Sequence, residues 1–330
     1  MNILFSLFAL LVIIVLAILG VEVANLYFIF GVIIPYVAIT IFLTGIIFQV
    51  IKWARSPVPF RIPTVAGQQK SLPWIKNSKL ESPHSTIGVI GRMILEVFLF
   101  RSLFRNTKAE LRNGPTLVYG SSKYLWVGAL AFHWSFLIIF LRHFRYFTEP
   151  LPVFVPFIQN LDGFFQIGVP IIYITNVVIV VALTFLFLRR IIDPKLKYFS
   201  LSSDYFPLFL LLSIAITGIL MRYFTKIDIV SIKELAIGLF SFEPVVPEGI
   251  GIMFFIHLFL VCVLLIYFPF SKLLHMPGVF LSPTRNLANN NRMKRHINPW
   301  DYPVRIHTYE EYEDEYRDKM KAAGIPVEKE

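Results

Sequence analysis

Six stretches of this chain are apolar over roughly the 20 residues a helix needs to cross a hydrocarbon layer of about 30 Å. They run approximately from 3 to 19, 27 to 51, 122 to 144, 163 to 188, 204 to 222 and 249 to 274. No soluble core of a 330-residue chain accommodates that much apolar surface when 56% of residues are hydrophobic and 16% are charged. The expected fold is all-α, a polytopic six-helix transmembrane bundle. A single helix over 3 to 51 would reach about 75 Å, so the chain must turn near Gly20 to Asn25, where Glu22 and Asn25 interrupt the apolar run. Met1 and Asn2 supply no basic leader and no small-residue cleavage pattern follows, so the first stretch reads as a retained anchor.

The net charge of +10 follows the loops rather than clustering with base-stacking aromatics, which argues for membrane topology and against nucleic acid. Most of the 31 Lys and Arg lie in the 52 to 121 segment and in the tail from 271, with Arg189, Arg190, Lys195 and Lys197 in the 189 to 203 loop. The opposite side has only Arg142, Arg145, Arg222, Lys226 and Lys233. Since basic residues collect in cytoplasmic loops, both termini are expected in the cytoplasm and the protein in the cell membrane. The one cysteine, Cys262, lies inside an apolar run. This excludes a disulfide framework, a covalent haem attachment and a Cys-ligated iron-sulfur cluster made by this chain alone.

The chain divides into two N-terminal spans (1–52), a long loop (53–121), a four-helix membrane core (122–276) and a polar tail (277–330). The loop opens with the Pro-rich run Ser56 to Pro63, which reads as extended chain. Residues 87 to 112 then set Leu95, Phe98, Leu99, Leu103 and Phe104 against Arg92, Arg101, Arg105, Lys108 and Arg112. That pattern predicts an interfacial amphipathic helix facing lipid headgroups or a partner. The tail carries Asn286, Asn289, Asn290 and Asn291, a basic stretch, and the acidic run Glu310 to Glu315. It has too few apolar residues for a core of its own. Trp300, Tyr302, Tyr309, Tyr312 and Tyr316 nevertheless suit docking on another protein, against the plainer reading of a free tail.

His133 and His143 fall ten residues apart on the third stretch, and His257 and His275 eighteen apart on the sixth. Ionisable side chains at membrane depth are costly and are usually paired or functional, and neutral imidazole is the common axial ligand of haem iron. The third and sixth spans run antiparallel. His143 therefore pairs with His257 toward the outer face and His133 with His275 toward the cytoplasmic face, as two bis-histidine sites for two haems b. Eighteen residues make five turns, so His257 and His275 would share a helix face, whereas ten residues leave His143 about 80° from His133. The axial rises, about 15 and 27 Å, disagree, and Pro269 is placed to kink the sixth helix and absorb part of the difference. His84, His296 and His307 lie in the polar segments and read as surface residues.

This double histidine spacing resembles the gamma, cytochrome b subunit family of respiratory nitrate reductase. The extra first helix resembles more narrowly the DsrM family of haem b subunits. So do Val58 to Pro63, Gly67-Gln68-Gln69-Lys70-Ser71-Leu72-Pro73-Trp74 and Arg295-His296-Ile297-Asn298-Pro299-Trp300-Asp301-Tyr302-Pro303. The resemblance spans essentially the whole chain and implies a five-helix di-haem core plus one added N-terminal helix. It further implies a quinone-interacting subunit exchanging electrons between menaquinol and a cytoplasmic iron-sulfur subunit like DsrK, within a DsrMKJOP assembly of dissimilatory sulfur and sulfate metabolism. The acceptor implied is the sulfur-carrier protein DsrC.

Quinol oxidation near the outer pair needs a proton acceptor and counter-charges. Glu149 and Asp162 are the candidate acceptors, with Arg142, Arg145 and Arg222 for haem propionates or quinone carbonyls. Each has an ordinary alternative as a snorkelling or capping residue. Asp162 is expected to open the fourth helix as its N-cap, and it stands where the nitrate reductase subunits carry a lysine implicated in quinol binding. Two other functions fit the apolar pattern: a proton or ion conductor lined by the histidines, and a haem-free membrane anchor.

Overall fold

The computed structural model describes residues 2–57, 67–166, 170–295 and 303–329. The Pro-rich Val58 to Pro63, His296, and the expected anchors Trp300 and Tyr302 lie outside these residues. The described chain is an all-α polytopic bundle with six helices long and apolar enough to cross a membrane: Asn2–Val23, Ile29–Ala54, Lys123–Phe147, Ile174–Ile192, Ser202–Thr225 and Ile252–Phe270. Their outward surfaces are lined by exposed Leu, Ile, Val and Phe, from Leu4 and Phe8 to Val181, as lipid contact requires.

The first two spans contain α1 (Asn2–Ile18) and α2 (Ile34–Ala54), which join through two π-helical turns and a reversal at Asn25, whose φ of 53° is tolerated by asparagine. The long loop then forms α3 (Thr86–Leu99) and α4 (Arg101–Phe104), so the expected helix over 87 to 112 ends early. Residues 107–112 instead form β1, paired antiparallel with β2 (Thr116–Ser121). The reason is local: Asn113 and Gly114 both take positive φ, the hairpin chemistry that Asn-Gly supplies.

The remaining helices are α5 (Lys123–Phe147), α6 (Phe154–Asp162), α7 (Ile174–Ile192), α8 (Pro194–Phe199), α9 (Ser202–Leu220), α10 (Ile229–Ser241), α11 (Ile252–Tyr267), α12 (His275–Leu281), α13 (Pro283–Asn286) and α14 (Tyr309–Ala322). The fourth span begins at Ile174, not near 163. Gly163–Phe165 and Ile172–Tyr173 pair as a small hairpin, β3 and β4, before it. Two apolar clusters bind the bundle. One joins Leu10, Ala17, Phe30, Leu210, Leu235, Phe255 and Leu260; the other joins Ile179, Leu183 and Leu211 with Phe132 and Ile139.

The two ends of the bundle are tied by polar contacts. On the basic end, Asn2 Nδ2 donates to Ser200 O (3.0 Å), Ser6 Oγ to Ser202 O (3.0 Å), and Lys272 Nζ lies 2.6 Å from Asp204 Oδ1. On the other, Tyr36 donates to Leu239 O (3.0 Å) and Lys233 pairs with Glu149. The tail is not a uniformly loose chain. Thr308 and Glu311 form a reciprocal capping box that starts α14, and Glu313 is buried by the returning amides of Glu328 and Lys329.

Candidate functional site

The four histidines come from three elements. His133 and His143 are both on α5, His257 is one turn and a half inside α11, and His275 opens α12 beyond the last spanning helix. This corrects the expectation of one continuous helix carrying His257 and His275. Pro269 sits in a 3-10 turn, Phe268–Phe270, and Ser271 is extended (φ −122°, ψ 175°), so the helix stops rather than merely kinking. The break disposes of the mismatch in rise, because His275 no longer needs to stand five full turns up the axis of α11.

The four rings lie near one another in twos. The rings of His133 and His275 lie 6.0 Å apart between centroids at an interplanar angle of 79°. His143 and His257 lie within electrostatic reach of each other at the opposite end. Among the described residues α5 and α11 do not make the close backbone approach that α5 makes with α7, or α11 with α2 and α9. The ligand-bearing elements therefore face one another across an interval rather than closing on it.

Each ring is oriented through the same nitrogen. His133 Nδ1 lies 2.7 Å from Ala129 O, His143 Nδ1 2.7 Å from Ile139 O, and His275 Nδ1 2.9 Å from Lys272 O. A carbonyl only accepts, so Nδ1 of each ring carries the proton. For His257 the partner is Thr217 Oγ1 at 2.8 Å. The Thr217 hydroxyl donates to Ser213 O (2.8 Å) or Ile214 O (3.1 Å), leaving its oxygen to accept from His257. All four rings thus engage Nδ1 in a hydrogen bond and leave Nε2 as the nitrogen available to a metal.

That donor set fits haem. Among the described residues no three His, Cys, Asp or Glu side chains converge as a metal cage built from the chain would need. A porphyrin supplies its own equatorial nitrogens and asks the protein for two axial ligands. Two metal–nitrogen bonds of about 2 Å, each with about 1 Å more to the ring centre, put axial imidazoles about 6 Å apart. The His133–His275 separation meets that. Gly218 adjoins the other pair: a Cβ there would stand 3.4 Å from His257 Cε1, at ordinary contact distance, so α9 lies directly against the ring.

The residues expected near the outer pair divide into committed and available groups. Asp162 does not open the fourth span; it ends α6 and caps α7 from outside. Its Oδ1 accepts from Thr175 N (2.9 Å) and its Oδ2 from Thr175 Oγ1 (2.6 Å), and Arg142 Nε stands 3.3 Å from Oδ2. Arg142 also donates to Thr175 Oγ1 (3.1 Å) and Asn176 Oδ1 (3.0 Å). The Arg142 and Arg222 guanidiniums both stack on Tyr173, at 3.7 and 4.4 Å. Arg222 in addition donates to Ile171 O (3.2 Å). These contacts make Asp162, Arg142 and Arg222 a latch between α5, α7 and α9. Among the described residues Arg145, half-buried beside His143, makes only a distant contact with Tyr146 (5.7 Å), and Glu149 is exposed and pairs with Lys233.

Several supporting residues carried little signal in the sequence. Thr217 was visible only as a hydroxyl within an apolar run, forty positions before the histidine it orients. Phe100 packs edge-on against His133 at 4.9 Å. Of the other histidines, His84 is half-buried and bonded to Asn77 (3.2 Å), not a free surface residue, while His307 is exposed near Glu311 and Glu315.

Residues 90–295 match the nitrate reductase gamma subunit family. The chain is also 44% identical over 280 residues to a protein of Archaeoglobus fulgidus named Hdr-like menaquinol oxidoreductase cytochrome b-like subunit, covering 83% of each chain. A protein of the same name from Archaeoglobus profundus is 42% identical over 274 residues, covering 81% of each. The histidine-bearing core lies within the matched region, and with it the protein belongs to the nitrate reductase gamma subunit family of polytopic membrane proteins.

Proposed function

We propose that this protein is the membrane cytochrome b subunit of a menaquinol-oxidising complex, passing electrons through two haems b to an iron-sulfur subunit on its basic face. The observation that carries the reading is the common orientation of the four imidazoles, each with Nδ1 held by an oxygen and Nε2 left as a ligand. His143 with His257 would hold one haem and His133 with His275 the other. Bound there, each haem supplies a one-electron carrier. The names of the Archaeoglobus relatives support the quinol donor.

The chain's own residues account for the rest. Oxidising menaquinol to menaquinone releases two electrons and two protons. On the face of His143, Glu149, exposed and paired with Lys233, is the candidate proton acceptor, and Arg145, for which the described residues show only the Tyr146 contact, is the candidate cation for a propionate or a quinone oxygen. Asp162, Arg142 and Arg222 hold the helices that frame this site. The excess of Lys and Arg at the other end supports a cytoplasmic position for it and for both termini. Electrons then move inward while protons leave outward. The tail after residue 277 would offer the docking surface for a DsrK-like subunit, and the DsrM resemblance supports a role in dissimilatory sulfur metabolism.

The test is reduction of the purified chain, in lipid, by a menaquinol analogue. Appearance of a reduced b-type spectrum supports the reading. A haem-containing chain that quinol leaves oxidised contradicts the donor, and a colourless chain favours a conductor or a bare anchor.

A further inference from the structure

His275 stands outside the last spanning helix, so its ring is positioned by contacts on either side of it. Ahead of it, Lys272 is held by Asp204 (2.6 Å), which fixes the turn whose carbonyl receives His275 Nδ1. Behind it, the chain runs through α12 and α13 onto α3. Arg92 of α3, 7% exposed, donates Nη1 to Glu81 O (3.4 Å) and Nη2 to Leu287 O (3.1 Å) and Arg285 O. Arg285 turns back to pair with Glu96 and donates to Ser102 Oγ (2.8 Å), and Asn289 N donates to Pro83 O (2.7 Å). A buried guanidinium bonded to two tail carbonyls anchors that backbone far more firmly than an exposed ion pair would.

The other end of α3 meets His133. Trp126 Nε1 donates to Leu99 O (2.7 Å) and Trp134 Nε1 to Phe98 O (3.1 Å), binding the last turn of α3 along α5. The next residue, Phe100, is held at φ 49°, ψ 48°, a left-handed conformation unusual for a bulky residue, and its ring lies against His133. Such outliers persist only where the surroundings impose them. One fourteen-residue helix, about 21 Å long, therefore joins the helix carrying His133 to the segment carrying His275.

We propose that α3 is a clamp that holds His275 in ligating position opposite His133, with Arg92 as its positioning residue. The inference rests on the haem reading above. The His143–His257 pair sits at the far end of α5 and on α11, oriented by Ile139 and Thr217, beyond the clamp. Loosening α3 therefore releases one axial ligand and leaves the other site intact.

Carbon monoxide reads this directly, because ferrous haem with two tight histidines excludes it and haem with a detached histidine binds it. The experiment uses the purified full chain, reduced with dithionite, as wild type, Arg92→Gln, Arg92→Lys and Glu96→Gln, with His275→Ala to mark the site. Wild type is expected to bind little carbon monoxide. Arg92→Gln is expected to bind about one per two haems, at the haem that His275→Ala exposes, with Arg92→Lys restoring most of the exclusion. Glu96→Gln, which frees Arg285 while leaving Arg92 in place, is expected to open the same site less. A colourless wild type refutes the haem reading itself. A two-haem wild type with Arg92→Gln equally closed to carbon monoxide refutes the clamp alone. So does equal opening or loss of both haems in Arg92→Gln and Glu96→Gln, since Arg92 would then serve the whole bundle.

Discussion

Thr217→Val keeps the shape of the side chain and deletes the one atom that orients His257. The hydroxyl lies 2.8 Å from His257 Nδ1. The carbonyls it bonds in return, Ser213 O and Ile214 O, belong to a continuous helix and keep their backbone partners. The damage is therefore confined to the imidazole. Its N–H is left unmatched in an apolar site, at a cost of about 1 to 3 kcal/mol, and loss of such a partner lowers metal affinity about 10- to 100-fold. The lost hydrogen bond also makes the ring a weaker donor, which weakens ferric more than ferrous iron. A tenfold preference corresponds to about 59 mV for one electron, so the midpoint potential of one haem should rise by an amount of that order. Spectroelectrochemical titration of the purified chain resolves the two components. One should move upward in Thr217→Val and return in Thr217→Ser, with the second unmoved. Two unmoved components, or an equal shift in both, would refute the assignment of Thr217 to a single haem.

Other outcomes follow from the same geometry. Alanine at His133 or at His275 should remove the same haem, alanine at His143 or at His257 the other, and the double variant within a pair should lose no more than either single one; haem-to-protein ratios check this. Asp162→Asn leaves Arg142 buried without its anion and should destabilise the protein by about 3 kcal/mol or more, read as a lowered Tm, while quinol-dependent haem reduction per folded molecule stays unchanged; slowed reduction would return Asp162 to the quinone site. In the tail, the amides of Glu328 and Lys329 hold the Glu313 carboxyl below the ordinary glutamate range, with Arg317 adding to the effect. A depressed value means the contact is at full strength above about pH 4.3 and is lost as pH falls through the lower folded value. Protection of those two amides from hydrogen exchange, corrected for intrinsic rates, should decline over that interval, and in Glu313→Gln, which keeps one acceptor oxygen and does not titrate, it should be weaker and show no such decline.

The six spans were legible, and the histidines could be ordered by depth, because both depend on chain length and chemical type. Apolar runs of membrane length fix the number of crossings, although the fourth begins eleven residues later than its apolar run suggests, and an odd number of crossings makes the third and sixth spans antiparallel whatever the loops do. What was not legible depends on where a helix stops. Periodicity carries the sixth helix through to His275, yet Pro269 and Ser271 end it at Phe270, and His275 comes near His133 by depth rather than by sharing a helix face with His257. Asp162 reads as an N-cap from its place before an apolar run, whereas the turn at Gly163 puts it at the end of α6, capping α7 from thirteen residues away. Asn113-Gly114 did carry a readable hairpin signal, outweighed by the amphipathic spacing around it. Thr217 and Arg92 act across distances of 40 and about 195 positions, and one sequence contains nothing that joins such pairs.

The central claim is that four neutral imidazoles hold two haems, and the visible spectrum of the purified full-length chain tests it most directly. Two b-type haems per chain, each low-spin and bound by two histidines, are the result expected from the four free Nε2 atoms. A chain that folds and inserts in the membrane yet carries no haem, or carries one that remains after His133, His143, His257 and His275 are all replaced, would contradict it.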